Sequence, residues 1–153
     1  TSYVVKTYKG LTLISTKSFA ATARSGSITG LLNGTAYTFQ VTAVNAVGSS
    51  AVKATSAIVV GAPKAPTGVT AVRVASGQIR VSFTAGANNG SAITSFVVTC
   101  SSSNGGTTRT KSGTASPITV TTLSAGKAYR CSVYAHNARG NGPASALSAS
   151  VTA

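Results

Sequence analysis

The sequence predicts an all-β chain made of two antiparallel β-sandwich units in tandem, and three observations carry that prediction. Thr, Val, Ser and Ala alternate with a period of two in short runs broken by Gly, Asn and Pro, the pattern of half-buried strands. No stretch carries the apolar stripe of an amphipathic helix. A long segment also repeats itself, at a spacing that fits a whole small domain and exceeds any solenoid unit.

The repeat pairs Leu31-Leu-Asn-Gly-Thr-Ala-Tyr37-Thr-Phe39-Gln-Val41-Thr-Ala43-Val-Asn45 with Leu123-Ser-Ala-Gly-Lys-Ala-Tyr129-Arg-Cys131-Ser-Val133-Tyr-Ala135-His-Asn137, at a constant offset (129 − 37 = 92). Thr1-Ser-Tyr3-Val-Val5 matches Thr94-Ser-Phe96-Val-Val98 at an offset one residue longer (94 − 1 = 93). Each copy therefore contains an opening strand with alternate apolar residues and a later strand that begins at a tyrosine just after a Gly-containing turn. Between the copies, Gly61-Ala-Pro63-Lys-Ala-Pro66 reads as a short, extended and semi-rigid joint, because proline cannot enter a strand ladder. Two domains are expected, residues 1–62 and 63–153.

Beyond the joint, the residues Ala65-Pro66-Thr67-Gly68-Val69, Ile79-Arg-Val81-Ser-Phe83, Ile93-Thr-Ser-Phe96, Leu123-x-x-Gly126-x-x-Tyr129 and Asn137-x-x-Gly140 resemble the fibronectin type III domain, especially its bacterial extracellular repeats. The resemblance covers essentially the whole chain. It departs from the family at Phe83, where Trp is usual. It implies tandem Ig-like β-sandwiches, with residues 63–153 making a complete one of roughly seven strands. Ile79, Val81 and Phe83 then face inward on strand B, and Phe96, Val98 and Cys100 on strand C. On strand F, Tyr129, Cys131, Val133 and Ala135 share the inner face, while Arg130, Ser132, Tyr134 and His136 share the other. Tyr37 and Tyr129 stand where a tyrosine corner hydrogen-bonds back across the sandwich.

Residues 1–62 begin at the equivalent of strand C, so this first domain runs from strand C to strand G and lacks strands A and B. Tyr3, Val5, Ile28, Leu31, Tyr37, Phe39, Val41 and Ile58 are expected to line an inner face without its opposing sheet. A half-sandwich of that size cannot bury such a face alone, so strands from upstream in the natural chain or from a neighbouring molecule are expected to cover it.

Composition narrows the chemistry. Thirteen Lys and Arg stand against no Asp or Glu, a formal charge of +13 in 153 residues. General acid–base catalysis by carboxylates, orientation of a histidine by a carboxylate, and Mg²⁺ or Ca²⁺ binding all lack their residues. One His and two Cys are too few for a zinc site. No enzyme activity and no cofactor are expected, and no apolar run approaches the roughly 18–20 residues of a membrane span.

Three constellations remain. The family pairs strands C and F, which puts Cys100 opposite Cys131, either as a disulfide or as two buried thiols. Arg130, Tyr134 and His136 alternate outward on strand F. With Arg109 and Lys111 facing the same way on the adjoining strand, they offer a basic, aromatic-interleaved face for a polyanion, or an ordinary solvated sheet face. Arg139-Gly140-Asn141 reads as a turn in which Gly and Asn supply positive φ, and Asn33-Gly-Thr35 and Asn89-Gly-Ser91 read as Asn-Gly turns that also match the glycosylation pattern. The expected role is a spacer or assembly unit of an extracellular or cell-surface protein, or of a filament. Its partners would be neighbouring domains or subunits, with an acidic protein or anionic polymer to offset the charge. The alternative is an adhesin or a carbohydrate- or polyanion-binding accessory module.

Overall fold

A computed structural model describes residues 1–153, and the chain divides into two compact units, Thr1–Gly61 and Ala62–Ala153. All regular structure is β, and all strand pairs are antiparallel.

The first unit is a single sheet. Its strands are β1 (Ser2–Lys9), β2 (Thr12–Ala20), β3 (Thr35–Val44), β4 (Lys53–Ala54) and β5 (Ile58–Val60). They lie in the order β2-β1-β3-β4, with β5 also on β3. The register sets Tyr3 against Ala43, Val5 against Val41 and Thr7 against Phe39. Directly opposed residues of an antiparallel pair share a face, so these six make one face of the sheet. The β1–β2 hairpin turns through Gly10, whose φ of +58° no β-branched residue adopts easily. Its register shifts between Thr7 and Tyr8, leaving Ile14 as the extra residue of a bulge.

The second unit has two sheets. β6 (Thr67–Ala75), β7 (Gln78–Thr84) and β10 (Ile118–Val120) form one, in the order β10-β7-β6. β8 (Ile93–Ser102), β9 (Arg109–Gly113), β11 (Ala128–Asn137), β12 (Gly140–Asn141) and β13 (Val151–Thr152) form the other, in the order β12-β11-β8-β9 with β13 also on β11. Alternation does the folding work here. Ile79, Val81 and Phe83 on β7 meet Phe96, Val98, Cys100, Cys131, Val133 and Ala135 from the facing sheet in one continuous core closed by Ile118, Val120 and Leu123. Phe83 and Phe96 touch across the sheets, ring centroids 4.9 Å apart and planes tilted by 52°, a geometry that aligns ring edge with ring face. Each fully buried Ile or Val here contributes about 1.5–3 kcal/mol.

The first sheet corresponds to β9-β8-β11 and its edge in the second unit, that is, to strands C′, C, F and G. The expectation that the first unit runs from C to G needs one correction: residues 21–34 contain no strand, so E is missing together with A and B. In the second unit the E strand, β10, pairs with β7. The first unit has no counterpart of β7, and a strand without a partner has no ladder to join.

Both units carry the tyrosine corner. Tyr37 is 2% exposed, and its hydroxyl accepts a 2.9 Å hydrogen bond from Leu32 N. The Tyr129 hydroxyl accepts from Ser124 N at 3.0 Å and donates to Thr107 O at 3.1 Å.

Candidate functional site

The two cysteines are joined. Cys100 on β8 stands directly opposite Cys131 on β11, their Cα atoms are 4.1 Å apart, and they form a disulfide. The close approach has a backbone cause. Cys131 N donates to Ser148 Oγ and Cys131 O accepts from Ser148 N, so both of its peptide groups point away from β8. The cysteines are therefore a non-hydrogen-bonded pair, the kind whose side chains lie nearest in an antiparallel ladder. The clasp lies within one sheet, as part of the core, at zero exposure.

The basic face does not assemble as expected. Arg130 is opposite Ser101, Tyr134 opposite Val97 and His136 opposite Ser95, all on the outer face of the sheet. On β9, however, Arg109 is opposite Cys100 and Lys111 opposite Val98, which puts both on the core-facing side at the open edge of the sandwich. Arg109 confirms this placement by donating from Nε to Thr122 O at 3.2 Å. Thr110 and Ser112 take the outer positions instead, opposite Thr99 and Val97. What remains outside is a small-residue face with Arg130, Tyr134 and His136 spread along about 20 Å of β11. His136 Nδ1 is tied to Asn141 Oδ1 at 2.7 Å, and Tyr134 is half-buried. The other aromatic on an outer face, Tyr8, lies in the first unit.

The inner face of the first unit is the larger anomaly. Tyr3 is 37% exposed, Val41 36% and Ile58 41%, whereas Val5, Ile28, Leu31 and Phe39 are half-buried. Tyr37 departs from the expected exposed set, because the corner that engages its hydroxyl buries the ring. Thr7 is fully buried and its hydroxyl has no hydrogen-bond partner. Phe19, opposite Tyr3, carries the Lys17 ammonium over its ring at 5.4 Å, and Lys17 donates to Ser27 O at 2.9 Å.

Sequence reasoning missed the serines of the last edge. Ser145 N and Ser148 N donate to Val133 O and Cys131 O, and their hydroxyls accept in return from Val133 N and Cys131 N at 3.0 Å. Three residues of the edge segment thus serve two of β11, which no regular ladder does. In the first unit Ser50 on Ala43 and Thr55 on Phe39 make the same reciprocal bonds, without the three-for-two spacing (55 − 50 = 5, 43 − 39 = 4). A hydroxyl three residues after another, opposite a tyrosine-led strand, is the signal that was available. At the other end of the second unit, Asn137 Nδ2 donates to Asn88 O and Ser91 O. Asn89, at φ +51° and 5% exposed, donates to Ala62 O, so the second glycosylation motif is a buried turn. In the Arg139-Gly140-Asn141 turn, Gly140 alone takes a positive φ, at +126°.

Taken together, the second unit is a disulfide-clasped, two-sheet sandwich of the immunoglobulin-like class, with a tyrosine corner and no grouping of acid, base and nucleophile. The sequence model of the fibronectin type III domain matches residues 64–151, and the chain belongs to that family. No curated protein matches the chain. Among solved structures, a crystal structure of domains from titin is 21% identical over 98% of this chain and 54% of that one, at a TM-score of 0.59. The FN1–FN3 domains of chicken CNTN1 are 16% identical over 99% of this chain and 55% of theirs, at 0.52. The titin kinase with its flanking domains is 24% identical, with 60% of this chain and 17% of that one covered, at 0.53. These likenesses concern the fold. The chain spans about half or less of the length of each of these three structures.

Proposed function

We propose that this chain is a non-catalytic building block of an extracellular surface or filament protein. In this reading the second unit serves as a self-sufficient spacer and the first as an assembly face. The observation that carries the reading is the contrast between one face covered by its own sheet and an equivalent face left open, with Tyr3, Val41 and Ile58 in solvent. In the second unit that position is filled by β6, β7 and β10, which supplies the chemistry of the covering element: strands with small and β-branched inward residues such as Val69, Ala71, Ile79 and Val81. A neighbouring domain or subunit provides it. The buried disulfide supports an oxidising location outside the cell. An acid-free surface of charge +13 favours an acidic partner, because like-charged copies repel.

The test uses the full chain. Hydrogen exchange and binding of an apolar dye should find the first unit weakly protected and dye-binding, and Tyr3→Ser with Val41→Thr should lower dye binding without altering the second unit. A chain that stays monomeric, binds no dye and protects β1 and β3 as strongly as β8 and β11 would overturn the reading. The polyanion-binding alternative loses its clustered site with Arg109 and Lys111 on the other side of the sheet.

A further inference from the structure

Four Asn-Gly dipeptides occur in the chain: Asn33-Gly34, Asn89-Gly90, Asn104-Gly105 and Asn141-Gly142. An asparagine followed by glycine can cyclise, because the unhindered glycine nitrogen reaches the side-chain amide carbon of the residue before it. The reaction needs that nitrogen free of other bonds, the carbonyl polarised and the amide nitrogen able to leave. The fold gives the four sites very different standing.

Three of them are held. Gly34 N donates to Val60 O at 2.8 Å, and Gly142 N to Ala135 O at 2.8 Å. Gly90 N donates to Asn88 Oδ1 at 3.1 Å, and the Asn89 amide is itself buried, its nitrogen bonded to Ala62 O. In each, the attacking nitrogen is engaged elsewhere, and at Asn89 the leaving group is too.

The fourth site is set up differently. Asn104 is exposed in the turn between β8 and β9. Its Oδ1 accepts two hydrogen bonds, from Ser102 Oγ at 2.8 Å and from Ala128 N at 3.0 Å. Ser102 Oγ in turn accepts from Asn104 N and Gly106 N, which strengthens it as a donor. Neither Gly105 N nor Asn104 Nδ2 has a hydrogen-bond partner. The Lys127 ammonium lies 4.0 Å from where a Cβ on Gly105 would be, adding positive charge beside the same turn. Two fixed donors on a carbonyl oxygen that must become an oxyanion make the arrangement that stabilises a tetrahedral intermediate.

We infer that Asn104-Gly105 is a self-modification site. Gly105 N bonds to Asn104 Cγ and gives its proton to water. Nδ2 takes a proton back from water as the bond from Cγ to Nδ2 breaks, and ammonia leaves, closing a succinimide. Water opens the ring at either carbonyl, leaving aspartate or isoaspartate at position 104. No oxidant or enzyme is needed. The product is the first carboxylate in the chain, beside Lys127, and lowers the formal charge by one (13 − 1 = 12). The isoaspartate form also adds a methylene to the main chain just before Gly105, one residue from Gly106, where a Cβ would collide with the Tyr129 hydroxyl, so it presses on the tyrosine corner.

Peptide mapping by mass spectrometry of the intact, oxidised chain aged in mildly alkaline water enriched in oxygen-18 tests this directly. Label should enter at position 104 about tenfold or more faster than at 33, 89 or 141, and Ser102→Ala should slow it by about tenfold, the low end of what a positioned donor contributes to a developing oxyanion. In the reduced chain in denaturant the four sites should converge. Equal rates at the four sites in the folded chain, or faster labelling at 104 after unfolding, would overturn the proposal. So would a Ser102→Ala chain, shown to be folded by its Tyr129 environment, that labels as fast as the parent.

Discussion

The two units carry one strand pattern with two fates. Tyr3, Val5 and Thr7 on β1 correspond to Phe96, Val98 and Cys100 on β8, and Tyr37, Phe39, Val41 and Ala43 on β3 to Tyr129, Cys131, Val133 and Ala135 on β11. Strand identity, register and tyrosine corner are the same. Yet Val41 is 36% exposed where Val133 is 1%, and Tyr3 37% where Phe96 is 6%. Local pattern therefore suffices to build the sheet, and burial depends on whether a second sheet faces it. Hydrophobic stabilisation follows area removed from water rather than residue type, so equal side chains at equivalent positions contribute unequally.

The sharpest test of that lesson is the clasp. Replacing Cys100 and Cys131 together by serine should cost the second unit about 3–4 kcal/mol, the chain-entropy value for a loop of this size. The first unit should not change, as read by unit-resolved hydrogen exchange in denaturant. Next, Val133→Ala should lose about 2 kcal/mol, methyl transfer plus residual cavity, and Val41→Ala clearly less than about 1 kcal/mol. Equal losses would mean that the face of the first unit is covered. Tyr129→Phe should cost about 1–2 kcal/mol, since it leaves Ser124 N and Thr107 O without their partner. Thr7→Val should stabilise the first unit by about 1 kcal/mol, by removing a buried hydroxyl that nothing satisfies.

A construction also sharpens the comparison. Thr7 and Phe39 hold the positions of the two cysteines, and Phe39 likewise turns both of its peptide groups to the outer edge, toward Thr55. Thr7→Cys with Phe39→Cys should therefore oxidise to a second clasp in air, measured by loss of free thiol. Persistent free thiols would show that the shared register does not extend to side-chain geometry.

Much of this was legible in the residues. Strict alternation on β7, β8 and β11 marks the inward set without ambiguity, and the constant spacing from Tyr37 to Tyr129 fixes both corners. The orientation of β9 was not legible. Arg109-Thr-Lys-Ser-Gly113 contains no apolar residue to declare an inner face, and in a period-two element a shift of one residue exchanges the faces. Ile28 illustrates a different limit. It occupies the position of Val120 in the repeat, but strand formation there depends on a pairing partner that no local pattern reveals. The serine edge escaped because its three-for-two matching with β11 resembles neither a strand nor a turn.

The position of the disulfide has a mechanical consequence. It closes a loop over a sequence separation of 31 that contains β9 and β10 and leaves both chain ends outside. Tension applied at the termini passes through the covalent bridge and bypasses everything between the cysteines. About 100 Å of contour that those residues would add when fully extended stays hidden until the bridge is reduced. The second unit is thus a tether whose maximum reach is set by redox state.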